Sequence, residues 1–204
     1  GEMCKAAGLK TVVAGNIGLP VLETLVDEAP DIYVLELSSF QLETTSSLDA
    51  DAATVLNVTE DHLDRYPGLA EYAAAKARIF EGSGMQVLNR QDALSLGMAK
   101  TRRNQITFGT DLPPTPDDFG LMHKDGDIWL MHGSTALIKA SEMRIAGLHN
   151  AVNALAALAL CRAIGLDFAA LLSALRDYKG LPHRVELVAE IGGVSFYDDS
   201  KGTN

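Results

Sequence analysis

The sequence predicts an α/β fold: a largely parallel sheet flanked by helices, with a small antiparallel sheet appended to it. Three observations carry that expectation. Short apolar runs at 11–14, 32–35 and 52–58 alternate with helical stretches at the spacing of strand–helix–strand units. Each run leads into a polar cluster, and the carboxyl ends of strands are where open α/β sheets bind ligands. After residue 111 the texture changes to a proline-rich loop and three short alternating runs, with Asp125-Gly126 and Gly133-Ser134 as turns, which is the pattern of a meander.

In chain order, residues 1–7 read as the tail of a helix stopped by Gly8, and 11–14 as a strand running into Gly15-Asn16-Ile17-Gly18. Pro20 suits the first turn of a helix reaching about residue 28, and Pro30 marks its end. The unbroken apolar run 32–35 is expected to be a buried strand closing on Glu36 and Ser38-Ser39. Two readings are open at this strand end: a carboxylate and hydroxyls facing a ligand, or a terminal acid followed by a chain turn. Asn16 is likewise either a ligand donor or a turn residue between glycines.

The run 52–58 leads into Thr59-Glu60-Asp61-His62-Leu63-Asp64-Arg65-Tyr66. Three acids, an imidazole and a guanidinium are costly to bury together without a metal or ligand; the alternative is a solvated loop and helix start. The helix over 69–80 follows. Its apolar positions are Leu69, Tyr72, Ala73, Ile79 and Phe80, and at about 100° per residue Lys76 falls in the middle of that stripe. Burial disfavours ammonium, which makes the amine available for nucleophilic or carbamate chemistry. Alternatively Lys76 snorkels to water or pairs with a nearby acid.

Strands at 85–89 and 105–108 flank a helix at 92–98, and the meander runs through 119–123, 128–132 and 136–139, with His123 and His132 as surface strand residues. Gly147-Leu148-His149-Asn150 opens a helix over 151–164 that is apolar on nearly every side and is expected to be buried. Asn150 and Asn153 share its first turn, where free N–H groups and the positive dipole end suit an anionic or nucleotide ligand. Capping by Asn150 alone explains one of the two asparagines. A helix over 168–178 ended by Gly180, two strands at 185–191 and 194–197 around Gly192-Gly193, and a polar loop complete the chain.

With 47% hydrophobic residues in 204, the chain can bury a substantial core as one domain, or one domain and a fragment. The net charge of -10 argues against a nucleic-acid partner. Cys4 and Cys161 form no C-x-x-C pair, so neither a disulfide framework nor a thiolate metal site is expected, and a reducing cytoplasm is favoured. No apolar run approaches the roughly 20 residues a membrane span needs. The sequence begins at Gly1 rather than Met and stops in a charged loop, so both ends are expected to be cut.

Taken together, seven stretches resemble the Mur ligases of bacterial cell-wall synthesis, in one order over nearly the whole chain. They are Gly15-Asn16-Ile17-Gly18, Glu36-Leu37-Ser38-Ser39-Phe40-Gln41-Leu42-Glu43, the run from Asn57 to Tyr66, Ala75-Lys76, the run from Gly147 to Asn153, Gly180-Leu181-Pro182-His183-Arg184, and the run from Asp199 to Asn204. The Leu37-Ser38-Ser39-Phe40-Gln41 run is similar to that of the D-glutamate-adding members.

The resemblance implies the central ATPase domain over 1–180, of the P-loop type, and the start of a glutamate-binding domain over 181–204. It implies an ATP-dependent ligase that activates UDP-N-acetylmuramoyl-L-alanine as an acyl phosphate and joins it to D-glutamate. Glu36 and His62 would bind Mg2+, and Lys76 would be carbamylated to help hold a second Mg2+. Asn16, Ser38 and Gln41 would face the muramoyl substrate, and Asn150, Asn153, Arg184 and Asp199 would surround ATP. Lys201 and Thr203 would lie at the domain junction, with Gly202 where the family pattern has alanine. A cytoplasmic monomer is implied, with no nucleic acid and no membrane insertion.

The G-x-x-G-K-[ST] phosphate loop of such enzymes is not in the sequence, so this chain is expected not to catalyse alone. A stand-alone binding or scaffold domain and a folylpolyglutamate-synthase-like ligase are the competing readings.

Overall fold

Strand β4 (Met85–Asn89) shows how the layers arise. Side chains alternate across a strand, so Val87 enters the core built on helix α5 (Leu148–Ala163), while Leu88 enters a second core built on helix α3 (Leu69–Ala77). Both side chains are fully buried because helices cover both faces, the usual condition of a parallel sheet. Strands β3 (Ala52–Val55) and β5 (Gln105–Phe108) flank β4 in parallel, giving the order β3-β4-β5. The computed structural model describes residues 1–25, 28–62, 64–182 and 186–200.

A second parallel pair, β1 (Thr11–Gly15) and β2 (Ile32–Glu36), sends Ile32 and Val34 onto the α5 core. Among the described residues no ladder joins this pair to β3-β4-β5. The antiparallel meander of β6 (Phe119–Lys124), β7 (Asp127–His132) and β8 (Thr135–Lys139) contributes Phe119, Leu121, Leu130 and Ile138 to the same core. Helix α6 (Phe168–Asp177) adds Leu171 and Leu175, and the short α1 (Glu2–Ala6) adds Cys4. Helices α2 (Ser39–Glu43) and α4 (Ala93–Gly97) are single turns after β2 and β4. The chain then forms a hairpin of β9 (Glu186–Ile191) and β10 (Val194–Asp198), turned by Gly192 and Gly193 at φ of 59° and 80°, values that favour glycine.

Alanines 151, 154, 156 and 159 let the sheets approach α5 closely, while Leu155 and Leu158 fill the space between. Cys4 and Cys161 are free thiols in this core; burial pushes the Cys161 thiol up to about 12, and Cys4 beside it adds to the effect. Gln86 and Asp118 are buried polar residues whose side chains are paired. The Gln86 amide donates to the Met98 carbonyl at 3.3 Å and accepts from the Lys100 N–H at 2.8 Å. Asp118 accepts from the Thr107 N–H and hydroxyl and from the Thr115 hydroxyl at 2.6–2.7 Å, tying β5 to the turn before β6.

Three local expectations change. The helix expected after Pro20 is a 3-10 turn over Val21–Thr24; Leu22 and Leu25 are exposed, so no packing drives a longer helix, and residues 26 and 27 lie outside the described residues. The strand at 32–35 is only half-buried, because Tyr33 points from the open face of a two-stranded sheet. His132 is half-buried rather than a plain surface residue: its ring lies 4.7 Å from Phe119 and 5.1 Å from Phe168, and burial holds its pKa below the ordinary histidine value, with Arg162 adding to the effect. No described helix is long and apolar enough to cross a membrane.

Candidate active site at the strand ends

The β1–β2 register places Gly15 opposite Glu36, and the Asn16 N–H donates to the Glu36 carbonyl at 2.7 Å. Gly15 has φ of 120°, and a Cβ there would overlap the Glu36 carbonyl, so only glycine allows the two strand ends to meet this closely. Asn16 and the exposed carboxylate of Glu36 therefore sit side by side at the carboxyl edge of the sheet.

Helix α2 starts two residues later with a reciprocal cap. The Ser38 hydroxyl accepts from the Gln41 N–H at 3.2 Å, and the Gln41 side-chain oxygen accepts from the Ser38 N–H at 2.9 Å. Ser38 and Gln41 are thus brought together, with each side chain bonded to the other's backbone. The Ser-x-x-Gln spacing is a capping-box signature legible in the sequence.

Past β3, an aromatic cluster joins α2 to α3. The His62 ring lies 4.9 Å from Phe40 and 6.0 Å from Tyr72, Phe40 stacks with Tyr66 at 6.1 Å, and Tyr66 meets Tyr72 at 5.2 Å. The Arg65 guanidinium sits 5.1 Å over Phe40 and bonds Glu43 at 2.8 Å, holding that carboxyl below its ordinary range. Arg78 donates to the Leu42 and Thr45 carbonyls at 2.7 and 2.8 Å, fixing the end of α2 against the end of α3. His62 holds a left-handed backbone, φ 53°, and is exposed apart from these ring contacts.

Lys76 is half-buried on α3, four residues after Tyr72 and therefore on the same helical face. Its ammonium lies 4.6 Å over the Tyr72 ring, and among the described residues no carboxylate is within ion-pair distance of it. Of the readings open in the sequence, pairing with a nearby acid is thus not the one adopted. Tyr72, only 6% exposed, is the common neighbour of His62 and Lys76. Periodicity alone places Tyr72 in the core stripe; its i, i+4 spacing to Lys76 is the sequence signal for their contact.

The remaining candidates lie elsewhere. Helix α5 starts earlier than expected, with Gly147 rather than Asn150 as the cap residue, so Asn150 lies in its first turn and Asn153 in its second; the Asn150 amide donates back to the Ala146 carbonyl at 2.7 Å, and Asn153 is exposed. An apolar cleft of about 380 Å³, lined in part by Ile128, Met143, Ile145 and Leu148, adjoins this helix start. Asp199 is exposed just beyond β10. Arg184, Lys201 and Thr203 lie outside the described residues. Among the described residues no three His, Cys, Asp or Glu side chains are clustered as a ready metal shell.

Parallel strands with helices on both faces and polar residues gathered at the carboxyl ends define an α/β ligand-binding domain. The profile of the Mur ligase middle domain matches residues 2–161, and the chain belongs to that family. It is 63% identical over 204 residues to the UDP-N-acetylmuramoylalanine–D-glutamate ligase of Methylobacillus flagellatus, covering all of this chain and 45% of that protein. The ligase of the same name from Nitrosomonas europaea is 57% identical over 213 residues, again covering 100% of this chain and 45% of the relative. The chain thus spans under half the length of these relatives. Among solved structures, MurF from Acinetobacter baumannii superposes with a TM-score of 0.73 at 18% identity, over 97% of this chain and 47% of MurF, a likeness of fold.

Proposed function

We propose that this chain is the central part of an ATP- and Mg2+-dependent ligase that joins D-glutamate to UDP-N-acetylmuramoyl-L-alanine in peptidoglycan synthesis. The observation that carries this is identity of 63% along the whole chain to a ligase of that name, with no part of the chain left unmatched. Residues 1–180 are the central domain, and 181–204 begin the glutamate-binding domain. The exposed faces of Val194 and Phe196 on the last hairpin support a division there, since a two-stranded hairpin rarely stands alone. The enzyme is a cytoplasmic monomer.

The donor set tests whether a cation fits. Mg2+ takes oxygen ligands and keeps several from water or phosphate. Glu36 supplies a carboxylate and His62 a ring nitrogen, while a protonated Lys76 supplies no ligand at all. Addition of CO2 to the deprotonated Lys76 amine, with loss of a proton, would replace that cation with the two oxygens of a carbamate, and among the described residues no carboxylate pairs with the amine. Glu36, His62 and carbamylated Lys76 would then supply the protein ligands for Mg2+. When bound, the metal neutralises charge on the phosphate oxygens.

Glu36 and His62 hold one side of the phosphate site, and carbamylated Lys76 holds the other and orients the γ-phosphate. Asn16, Ser38 and Gln41 face the muramoyl substrate, whose carboxylate takes the phosphoryl group; the D-glutamate amine then displaces phosphate. Asn150, Asn153, Arg184 and Asp199 surround ATP, and Lys201 and Thr203 meet the glutamate-binding domain.

In the full-length protein, phosphate release is expected only when ATP, UDP-N-acetylmuramoyl-L-alanine and D-glutamate are all present. Lys76→Ala is expected to abolish it, with partial recovery on adding short-chain carboxylates. Full activity of Lys76→Ala would refute the carbamate role, and turnover without D-glutamate would refute the reaction.

A further inference from the structure

We infer that Tyr72 is a positioning residue of this site, its ring being the surface against which His62 and Lys76 are both set. This rests on the roles given to His62 and Lys76 above and adds a third residue that no resemblance assigned.

The geometry is specific. Tyr72 is 6% exposed and held by Tyr66 at 5.2 Å, so its ring is fixed before either functional group meets it. The His62 ring approaches at 80° to it, edge to face, with centroids 6.0 Å apart. The Lys76 amine lies 4.6 Å over the same ring. His62 belongs to a loop and Lys76 to a helix; the His62 ring also meets Phe40 at 4.9 Å and the Asp61 carboxylate at 3.6 Å, whereas Lys76 has no ion pair among the described residues. One buried ring therefore limits the rotamers of two groups, the imidazole given to one Mg2+ and the amine whose carbamate is given to the second. An aliphatic side chain of similar volume would keep the packing and lose both oriented contacts.

Outer residues that orient metal-holding side chains are typically worth about 10–100-fold in metal affinity. The full-length protein in bicarbonate buffer would be titrated with Mn2+ and free ion read by electron paramagnetic resonance, which needs no turnover. Tyr72→Met is expected to weaken Mn2+ binding about tenfold or more, while Tyr72→Phe, which keeps the ring, binds as the parent does. Melting temperature identifies variants that have lost the fold, and Tyr72→Leu replaces Tyr72→Met should the latter not fold.

A second readout uses chemical rescue. Acetate should restore part of the activity of Lys76→Ala and of Lys76→Ala/Tyr72→Phe, but not of Lys76→Ala/Tyr72→Met, where the wall against which acetate lodges is gone. Unchanged Mn2+ binding in folded Tyr72→Met, or equal rescue with and without the ring, overturns the role of Tyr72. Undiminished activity in Lys76→Ala overturns instead the earlier reading of Lys76.

Discussion

A lysine in an apolar helical stripe has few options, and Lys76 takes one that needs no acid among the described residues. Its charge is met by a ring face rather than by a carboxylate. The sequence showed that position 76 is anomalous because periodicity is a property of the helix alone. Which alternative it adopts depended on Tyr72, buried by contacts from Tyr66 in another segment, and so was not legible. His132 is the reverse case, since alternation along its strand suggested solvent while Phe168 from a distant helix covers it.

That burial has a pH consequence. The folded-state pKa of His132 is lowered, so between that value and its unfolded value near 6.5 the unfolded chain binds more protons than the folded one. The stabilisation from a neutral His132 is complete above about pH 6.5 and is lost as pH falls through the folded pKa. Denaturant midpoints between pH 7.5 and 5 should fall more steeply for the parent than for His132→Phe. Parallel profiles would count against the burial described.

At the scale of elements, the capping box of α2 is the feature most open to measurement. The helix has five residues, too few to persist by propensity, so its start depends on Ser38 and Gln41 and its end on Arg78. Ser38→Ala removes the acceptor for the Gln41 N–H and should cost about 1 kcal/mol of stability, read as a lowered denaturant midpoint with unchanged slope. Gln41→Glu can still bond the Ser38 N–H and should cost less. Strands were legible almost to the residue where runs were short and flanked by turns, as at β4 and β5. The segment after Pro20 was not, because its leucines look helical in sequence but have no surface to pack on within the described residues.

For the molecule as a whole, the alternating β4 residues Val87 and Leu88 belong to separate cores, so the central sheet couples α3 and its site to α5. Leu158 is fully buried in the α5 core, and Leu158→Ala should cost about 2–5 kcal/mol. The loss should appear as a lower melting temperature for the whole cooperative unit. In amide exchange, α5 should be among the slowest segments and the β9–β10 hairpin, with Val188, Ile191 and Val194 exposed, among the fastest. The layer order was legible because the strand–helix alternation implies it. The two polar groupings, one around Tyr72 and one at the start of α5, were not separable in sequence, because their spacing is set by side-chain contacts across the layers.

The left-handed backbone at His62 carries one last implication. Glycine adopts φ of 53° without steric cost, whereas a residue with a side chain is less at ease there. His62→Gly should therefore melt no earlier than the parent, even as it deletes the imidazole that we propose as a Mg2+ ligand. On that proposal durability and chemistry diverge at this one residue: selection for a sturdier protein alone would discard the ring.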